Sequence, residues 1–451
     1  MAREKQKHQP KLFPSAPSSP PVAASGPSSL RRPPRPQDLT PASTLVPTFE
    51  SIRAYMAANA HGITRDDAIL EELSKLLHAK VYDETCGADS TPLRFFAAEG
   101  ESDDLVVERV QLLYAESLEG QINGGTPRTI GLDSKSLLFA VRSLHALRLT
   151  HAGRDVIGEA YESLIFPALR GGQGQFFTPK NVGACLVNLV GLRQGDRVVD
   201  PACGPGGFLV EAAAVATSTG VEVLLHGVDK DDLLMRLASD SLRARGLPAA
   251  IACGNSLLPF DALPKPVAAI LKPGHFDVVV TNPPFGSKIP VSGEDVLSQY
   301  DLSRKWMYSS RGGKWVATEH LRDAVPPQIL FIERCWQLLK EGGRCGIVLP
   351  EGVLGNQSLG YIRRWLIDRA DILAVVDCPL ETFMPSTSTK TVLLVFQRRK
   401  NPLRPPVFMA VAEQCGHDRR GNPQAASDGT PDDDFPRIAQ AWADSHTESR
   451  A

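Results

Sequence analysis

The sequence predicts an α/β protein in which a doubly wound, mostly parallel sheet follows a helical region. Between residues 171 and 415, short apolar segments alternate with longer segments of helical periodicity, the pattern of a sheet covered by helices on both faces. Residues 48–170 show helical periodicity only. The apolar segment 277–281 ends at two prolines, which is typical of a buried parallel strand that stops abruptly.

Composition divides the chain into four parts. At 451 residues the chain exceeds one typical core, so two folded parts and two tails are expected. Residues 1–47, rich in Pro, Ser and Ala, are predicted to be a disordered basic arm. The arm is a solvated tail, or it contacts DNA phosphates, or it is a transit peptide. The helical domain spans 48–170, the sheet domain 171–415, and a loosely ordered tail 416–451.

Overall charge and cysteine spacing narrow the class of protein. A net charge of -2 indicates that the chain as a whole is not strongly basic. If the protein binds DNA, a partner or a local surface must supply the positive charge. The eight cysteines form no C-x-x-C pair, which favours reduced, buried thiols in a cytoplasmic protein over a metal site or disulfides. No apolar segment is long enough to cross a membrane, so no membrane partner is expected.

The predicted elements follow from periodicity. Helices are expected near 49–60, 65–82, 103–118, 134–149 and 155–169 in the first domain, and near 180–192, 207–219, 231–245, 326–340 and 358–370 in the second. Seven strands are expected at 197–200, 224–229, 249–253, 277–281, 344–349, 372–377 and 391–397. Residues 287–325 are predicted to be a long functional loop.

A glycine-rich segment follows the first predicted strand. Residues 200–207 read Asp-Pro-Ala-Cys-Gly-Pro-Gly-Gly and open a helix, the position at which a nucleotide-binding loop is expected. Asp229 ends the next strand, near the offset of about 20 residues at which an acid binds ribose hydroxyls. Because G-x-G-x-x-G is incomplete, we expect an adenosine-bearing ligand without phosphates. The alternative is a plain tight turn.

The segment 277–281 ends at Asn-Pro-Pro-Phe, residues 282–285. The prolines hold this turn in a stiff, non-helical conformation at the carboxyl end of the strand, where open α/β sheets bind ligands. Asn282 and the Pro283 carbonyl supply two acceptors, and Phe285 supplies a flat surface, which suits an exocyclic amine on a planar ring. The alternative is a turn that only ends the strand.

These two motifs, together with Gln-Phe-Phe-Thr-Pro at 175–179, resemble the amino-methylating DNA methyltransferases, most closely the modification subunits of type I restriction-modification systems. The resemblance covers most of residues 65–415. It implies a seven-stranded S-adenosylmethionine-dependent methyltransferase sheet with an antiparallel strand pair at one edge. It also implies transfer of a methyl group from S-adenosyl-L-methionine to N6 of a flipped-out adenine in DNA.

Three sets of site residues follow from the motifs and this resemblance. The expected catalytic residues are Asn282, Pro283, Pro284 and Phe285. The expected cofactor-binding residues are Phe177, Thr178, Asp200, Pro201, Gly204, Gly206, Asp229 and Asn255. Residues expected to contact the target base or DNA are Phe383, Lys288, Arg304 and Lys305.

Several of these assignments have alternatives. Asn255 stands where similar enzymes place an acid on the adenine amine, and it is also a plausible turn residue. Thr178 is expected to cap the helix that Pro179 begins, besides contacting the cofactor. Phe383 is either the second face of a stacking sandwich or a core residue. The bases and aromatics of 287–325 suit either nucleic acid or a lid over the site.

The expected partners are double-stranded DNA, a DNA specificity subunit and, in addition, a restriction subunit. The residues after 415 are too few for a separate target-recognition domain, which is why recognition is assigned to a partner. Alternative acceptors are cytosine N4, RNA or a protein glutamine. A catalytically silent DNA-binding subunit is the alternative from another class.

Overall fold

Four helices of the first domain lie where periodicity predicts them. The computed structural model describes residues 30–42, 44–63, 65–86, 90–118, 129–150, 178–286, 289–310, 312–399 and 405–448. The helices are α1 (Val46–Asn59), α2 (Asp66–Cys86), α3 (Asp103–Ser117) and α4 (Ser134–Leu144). The stripe of α2 formed by Ile69, Leu73 and Leu77 is buried in the bundle core. The predicted helix 155–169 lies outside the described residues.

Part of the N-terminal arm packs against this bundle, so the prediction of disorder is wrong for residues 30–42. Leu30 forms a β-bridge with Ala98, and the Leu93 N–H donates to the Pro34 carbonyl at 2.7 Å. Leu39 is buried. Prolines already restrict the unfolded chain, so ordering such a segment loses little entropy, an effect that composition alone does not reveal. Residues 1–29 lie outside the described residues.

The second domain is built on an eight-stranded sheet and a separate hairpin. The strands are β1 (Arg197–Asp200), β2 (Leu224–Asp229), β3 (Ala249–Cys253), β4 (Phe276–Thr281), β5 (Arg304–Ser309), β6 (Lys314–Leu321), β7 (Leu339–Pro350), β8 (Ala370–Asp377), β9 (Thr391–Arg398) and β10 (Phe408–Val411). The sheet has the order β10-β8-β9-β7-β4-β1-β2-β3, and β5 and β6 form the hairpin. All seven predicted strands are present, and β10 is an additional edge strand.

The strand directions place most strand ends on one side. Strands β1, β2, β3, β4 and β7 are linked by parallel pairings. Strand β9 is antiparallel to both β7 and β8, and β10 is parallel to β8. Every strand of the sheet except β9 therefore ends at the same edge, called here the carboxyl edge. The fully buried β4 lies between β1 and β7 at the centre.

Helices cover both faces of this sheet. They are α5 (Lys180–Val190), α6 (Gly207–Thr219), α7 (Asp232–Ala244), α8 (Lys265–Ile270), α9 (Glu294–Leu297), α10 (Pro327–Leu338), α11 (Glu351–Gly355), α12 (Gly360–Arg369) and α13 (Phe435–Glu448). One face packs against α5, α6, part of α7 and α13, and the other against α8, α10 and α12. Within the described part of the chain, every helix is too short or too polar to cross a lipid bilayer.

Helix α7 joins the two domains. Leu234 and Leu237 belong to the core of the helical bundle although they lie in the sheet domain. His78 of α2 and Asp240 of α7 form a buried contact, with 2.5 Å between Nδ1 and Oδ1. Because both groups are almost fully removed from water, this polar pair holds α2 against the sheet domain in one arrangement.

Residues 289–310 and 312–325 belong to a folded insertion, so the prediction of a long loop is wrong. Strands β5 and β6 pair as an antiparallel hairpin, with the rings of Tyr308 and Trp315 5.6 Å apart across the strands. Trp306 stacks on Tyr361 of α12 at 5.8 Å. Aromatic cross-strand pairs and this contact with α12 stabilise the hairpin. The interspersed glycines and charges concealed that pattern in the sequence.

The C-terminal tail is ordered through residue 448, which corrects the prediction of a loose tail from 416. Phe435, Ile438 and Trp442 lie on one stripe of α13 and are buried against the sheet domain. The Trp442 ring packs edge-on against Phe408 of β10 at 5.4 Å. The acids before α13 suggested a solvated tail, yet the Asp433 carboxylate accepts the N–H of Phe435, the first residue of the helix, at 3.0 Å, and the Asp434 carboxylate accepts the Glu413 N–H at 2.8 Å.

Trp442→Ala is expected to lower the free energy of unfolding by about 3 kcal/mol, because it removes a large buried ring and leaves a cavity against β10. Equilibrium unfolding in urea measures this change. Gln440→Ala, at an exposed position of the same helix, is the control and should change stability by less than about 0.5 kcal/mol. Equal stability of the two variants would mean that α13 does not pack on the sheet.

Candidate active site

A cavity of about 200 Å³ lies at the carboxyl edge, over the ends of β1 to β4. It brings together segments that are far apart in the sequence: the residue before α5, the glycine-rich loop, the ends of two further strands and the Asn-Pro-Pro-Phe turn. The predicted residues that line it are Thr178, Asp200, Pro201, Gly204, Asp229, Asn255, Asn282 and Pro284. One cavity therefore unites the proposed cofactor site with the proposed catalytic turn.

The glycine-rich loop requires glycine at two positions. Gly204 and Gly206 have φ of 51° and 90°, in the left-handed region that glycine adopts most readily. A Cβ at Gly206 would lie 3.2 Å from the Cβ of Ala238, so the loop packs tightly on α7. The Cys203 N–H donates to the Val228 carbonyl at 3.0 Å. These contacts hold the loop against β2 and leave its outer side facing the cavity.

Asp229 supports this loop from the end of β2. Its two carboxylate oxygens accept the N–H of Gly204 at 2.8 Å and the N–H of Asp231 at 2.9 Å. Burial raises the pKa of Asp229, and these two hydrogen bonds oppose that rise. A carboxylate offers about four acceptor positions, so Asp229 can still accept from a ligand while it orients the loop.

Asp200 lies at the end of β1 and is only 1% exposed. One of its oxygens accepts the Ala202 N–H at 3.0 Å. Burial raises the pKa of Asp200 to about 7, and the nearby charge of Asp229 adds to the rise. Because the charged form is disfavoured by burial, a cation in the cavity would favour ionisation of Asp200.

The loop after β3 closes the cavity on the far side. The Asn255 Oδ1 accepts the Leu257 N–H at 3.0 Å, so the interpretation of Asn255 as a turn residue agrees with the geometry. Asn255 is also exposed and lines the cavity, so its place in the turn leaves it open to contact a ligand. The Ser256 hydroxyl donates to the Pro201 carbonyl at 2.5 Å and ties this loop to the glycine-rich segment.

Asn282 lies at the cavity end of β4. Its Nδ2 donates to the Thr178 Oγ1 at 3.1 Å, which links the Asn-Pro-Pro-Phe turn to the segment before α5. The prediction that Thr178 caps α5 is wrong: the helix begins at Lys180 after Pro179, without a side-chain cap. The Thr178 hydroxyl instead orients the amide of Asn282. Phe177 lies outside the described residues.

Phe285, the last residue of the Asn-Pro-Pro-Phe turn, lies against Phe383. Their rings meet edge to face with 6.5 Å between centroids. The two residues are only 5% and 3% exposed and both belong to a core cluster. Stacking of a base on Phe285 or Phe383 therefore requires one ring face to become uncovered first.

The basic residues predicted to contact DNA do not line this cavity where the structure describes them. Arg304 lies on the hairpin insertion and donates to the Glu319 carbonyl at 3.2 Å. Lys305 is exposed on the same strand. Both remain predicted DNA contacts at a distance from the cavity lining, and Lys288 lies outside the described residues.

The cavity has further lining residues that the sequence did not indicate. They are mostly apolar and come from α7, α10, the start of the insertion and the loops after β2 and β3. No motif marks them, because an apolar residue facing a cavity and one facing the core have the same pattern in sequence. They include Lys230, Leu234, Ser256, Leu257, Ile289, Val291, Pro327 and Phe331.

This arrangement can bind a ligand that is apolar on its faces and polar at its ends. The backbone cradle and two buried carboxylates lie at the β1 and β2 side. The amide of Asn282, held by Thr178, lies at the β4 side. A polar amide next to a largely apolar cavity can accept hydrogen bonds from a planar amine with little competition from water.

Comparison with known proteins agrees with this geometry. The family model described as N-6 DNA Methylase matches residues 152–450. The methylase subunit of the EcoEI type I restriction enzyme from Escherichia coli is 25% identical over 354 residues, covering 76% of this chain and 62% of that protein. The methylase subunit of the MjaIX type I restriction enzyme from Methanocaldococcus jannaschii is 26% identical over 322 residues, covering 67% of this chain and 52% of that protein.

Solved structures show the same fold. A chain from a study of complex assembly in the type I R-M system aligns with a TM-score of 0.62 at 20% identity, covering 90% of this chain and 84% of that chain. The methyltransferase subunit of the type I restriction-modification system from Streptococcus thermophilus aligns with a TM-score of 0.54 at 18% identity. The alignment covers 91% of this chain and 94% of that chain. The predicted S-adenosylmethionine-dependent methyltransferase fold is confirmed.

The chain spans only 62% and 52% of the two curated relatives described above. The family model nevertheless matches well over half of the present chain, and it includes both motifs that line the cavity. The resemblance to type I modification subunits is confirmed, and the cofactor of such enzymes is S-adenosylmethionine. The chain belongs to the N-6 DNA methylase family.

Proposed function

We propose that this chain transfers a methyl group from S-adenosyl-L-methionine to N6 of adenine in DNA, as the modification subunit of a type I restriction-modification system. The observation that carries the proposal is the shared cavity, into which both the glycine-rich loop and Asn282 open. The relatives support it, since their names describe type I methylase subunits. The proposed location is the cytoplasm.

The cavity fits the cofactor in shape and charge. A Cβ at Gly204 or Gly207 would meet no atom within 4 Å, so there is open space beside the loop for a ligand. Asp229 would accept from ribose hydroxyls and Asp200 would face the cationic end. Asn255 would accept from the adenine amine, more weakly than an acid because an amide is uncharged. When bound, the cofactor supplies a methyl group on a positively charged sulfur.

Asn282 would act on the target amine. An aromatic amine is a poor nucleophile because its lone pair is delocalised into the ring. Hydrogen bonds from the amine to the Asn282 side-chain oxygen and the Pro283 carbonyl would favour the pyramidal nitrogen on which positive charge develops. The bond from Nδ2 to Thr178 fixes the orientation of the amide beforehand. Pro284 stiffens the turn that holds these acceptors.

The target base must leave the duplex to reach this cavity. Phe285 belongs to the Asn-Pro-Pro-Phe turn and Phe383 packs against it, and we propose that one of them uncovers a face to stack on the base. The relatives are named as methylase subunits of type I restriction enzymes, so we propose that sequence recognition comes from a specificity subunit and that a restriction subunit joins the assembly.

The proposal is tested by methyl transfer from labelled S-adenosylmethionine with three acceptors: mixed-sequence duplex DNA, RNA and protein. Each is assayed with the chain alone and with its candidate specificity subunit. Label in DNA only when the subunit is present is the expected result. Label in DNA with the chain alone would remove the need for the subunit. Label confined to RNA or protein would replace the proposed substrate, and cofactor binding without transfer would favour a silent subunit.

Cofactor binding is expected to strengthen with pH between 6 and 8. The pKa of Asp200 is about 7 without ligand, so the carboxylate is mostly protonated at pH 6 and mostly ionised at pH 8. A cationic ligand binds the ionised form, so affinity should rise by about tenfold over this range. Titration calorimetry at several pH values measures it.

Asp200→Asn is the control for this pH dependence, because the α-amino group of the cofactor can titrate in the same range. The variant should bind more weakly at pH 8 and lose most of the pH dependence. A variant whose affinity rises with pH as steeply as that of the wild type would exclude Asp200 as the titrating group.

A further inference from the structure

We infer that an exposed turn at residues 418–422 contacts the DNA phosphate backbone beside the flipped adenine, through Arg419 and Arg420. This inference rests on the proposed function and adds a DNA-contact site to it. It concerns a part of the chain that sequence analysis assigned to a loosely ordered tail. Four observations carry it: the position of the turn, its contact with the Phe383 segment, its rigidity and its charge.

The topology places this turn at the carboxyl edge. Strand β10 is parallel to β8, which in turn runs in the same direction as β4. The segment after Val411 therefore leaves the sheet at the edge where the cavity lies. In the strand order, β1, β2 and β3 lie on the cofactor side of β4, whereas β8 and β10 lie on the opposite side. The turn thus borders the part of the edge that is left for the target.

The turn contacts the segment that carries Phe383. The Arg419 Nε donates to the Glu381 Oε1 at 2.9 Å, and Glu381 belongs to the short 3-10 helix that ends at Phe383. A Cβ at Gly421 would lie 3.4 Å from the Cδ of Pro385. Phe383 in turn meets Phe285 of the catalytic turn. The turn therefore meets the segment of Phe383, the ring proposed to stack on the base, at two places: Glu381 and Pro385.

The turn is held rigidly by its own hydrogen bonds. The Asp418 Oδ1 accepts the N–H of Arg420 at 2.8 Å and of Asn422 at 2.9 Å. The Asp418 Oδ2 accepts the Asn422 side-chain amide at 2.9 Å. At the base, the Asn181 Nδ2 donates to the Cys415 carbonyl at 3.0 Å. A preordered turn loses little conformational entropy when it binds.

The exposed groups of the turn suit phosphate. The side chain of Arg419 is 69% exposed although it pairs with Glu381, and Arg420 is exposed as well. Guanidinium groups bind phosphate oxygens through two parallel hydrogen bonds. The Asp418 charge is directed into the turn by its hydrogen bonds. Any duplex that delivers a base to the cavity must bring flanking phosphates across this edge, so DNA is the partner that the position favours.

The test measures affinity for duplex DNA between 50 and 200 mM salt, using the full chain in the assembly that methylates DNA. Each lost phosphate contact should reduce the slope of log K against log salt by about 1, which reduces the loss of affinity over this range by about fourfold. Arg420→Ala should show this reduction, and the double variant Arg419→Ala with Arg420→Ala about twice as much. Arg193→Ala, exposed before β1 at the opposite edge of the sheet, is the matched control and should keep the wild-type slope.

Binding of S-adenosylmethionine should not change in these variants, because neither arginine lines the cavity proposed for the cofactor. Wild-type slopes in both arginine variants would overturn the inference while leaving the proposed function intact. So would loss of the specificity subunit from the assembly with an unchanged slope, since the turn would then contact protein. A wild-type assembly that binds no duplex would overturn both the inference and the proposed function.

Discussion

Replacing Asn282 with alanine is expected to lower the rate of methyl transfer by about 10²–10³-fold, the typical effect of removing one preorganised group that stabilises a transition state. The side chain lies at the cavity, held by Thr178, and no other residue of the turn has a side chain that can accept from an amine. Single-turnover transfer of labelled methyl at saturating cofactor and DNA measures the effect.

The accompanying measurements separate a chemical effect from a structural one. Cofactor affinity of Asn282→Ala should stay within about threefold of wild type, because the glycine-rich loop is untouched. Asn188→Ala, at an exposed position of α5, is the matched control and should transfer methyl at the wild-type rate. If Asn282→Ala retained more than a tenth of the wild-type rate, the turn would not be the catalytic element.

Replacing Asp229 with alanine is expected to weaken binding of S-adenosylmethionine by at least about a hundredfold. The carboxylate accepts two backbone N–H groups, one of them from Gly204 in the cofactor loop. Its loss removes the proposed ribose acceptor and leaves both backbone donors without this partner, and hydrogen bonds to charged groups contribute about 1.5–3 kcal/mol each. Titration calorimetry measures the affinity.

A second variant separates the two roles of Asp229. Asp229→Asn keeps one oxygen acceptor in place, so it should bind more tightly than Asp229→Ala and less tightly than wild type. Asp261→Ala, at an exposed position before α8, is the control and should bind as wild type does. Unchanged affinity in Asp229→Ala would show that the cofactor lies elsewhere.

The sheet and the central motifs could be predicted because their patterns are local. Residues 278–280 of β4 are consecutive buried valines, and the prolines after Asn282 mark the end of the strand without any knowledge of the fold. The glycine-rich loop is equally visible, since Gly206 must adopt a left-handed conformation against α7. These features depend on adjacent residues, so the sequence alone reveals them.

The elements that sequence analysis missed depend on tertiary contacts. Strand β10 has only four residues, and Met409 at its centre is 75% exposed, so its apolar pattern is too short to indicate a strand. The hairpin relies on the contact of Trp306 with Tyr361 of α12. The turn that carries Arg419 is positioned by β10 and by Glu381. No local pattern specifies these partners.

The measurement that tests the central claim most directly is the identity of the methylated base. Duplex DNA labelled by the assembly is digested to nucleosides, which are separated and counted. We expect the label to co-elute with N6-methyl-2′-deoxyadenosine, and we expect Asn282→Ala to remove it. Label in N4-methylated deoxycytidine, with no labelled adenine product, would contradict the claim that Asn282 and its turn act on adenine.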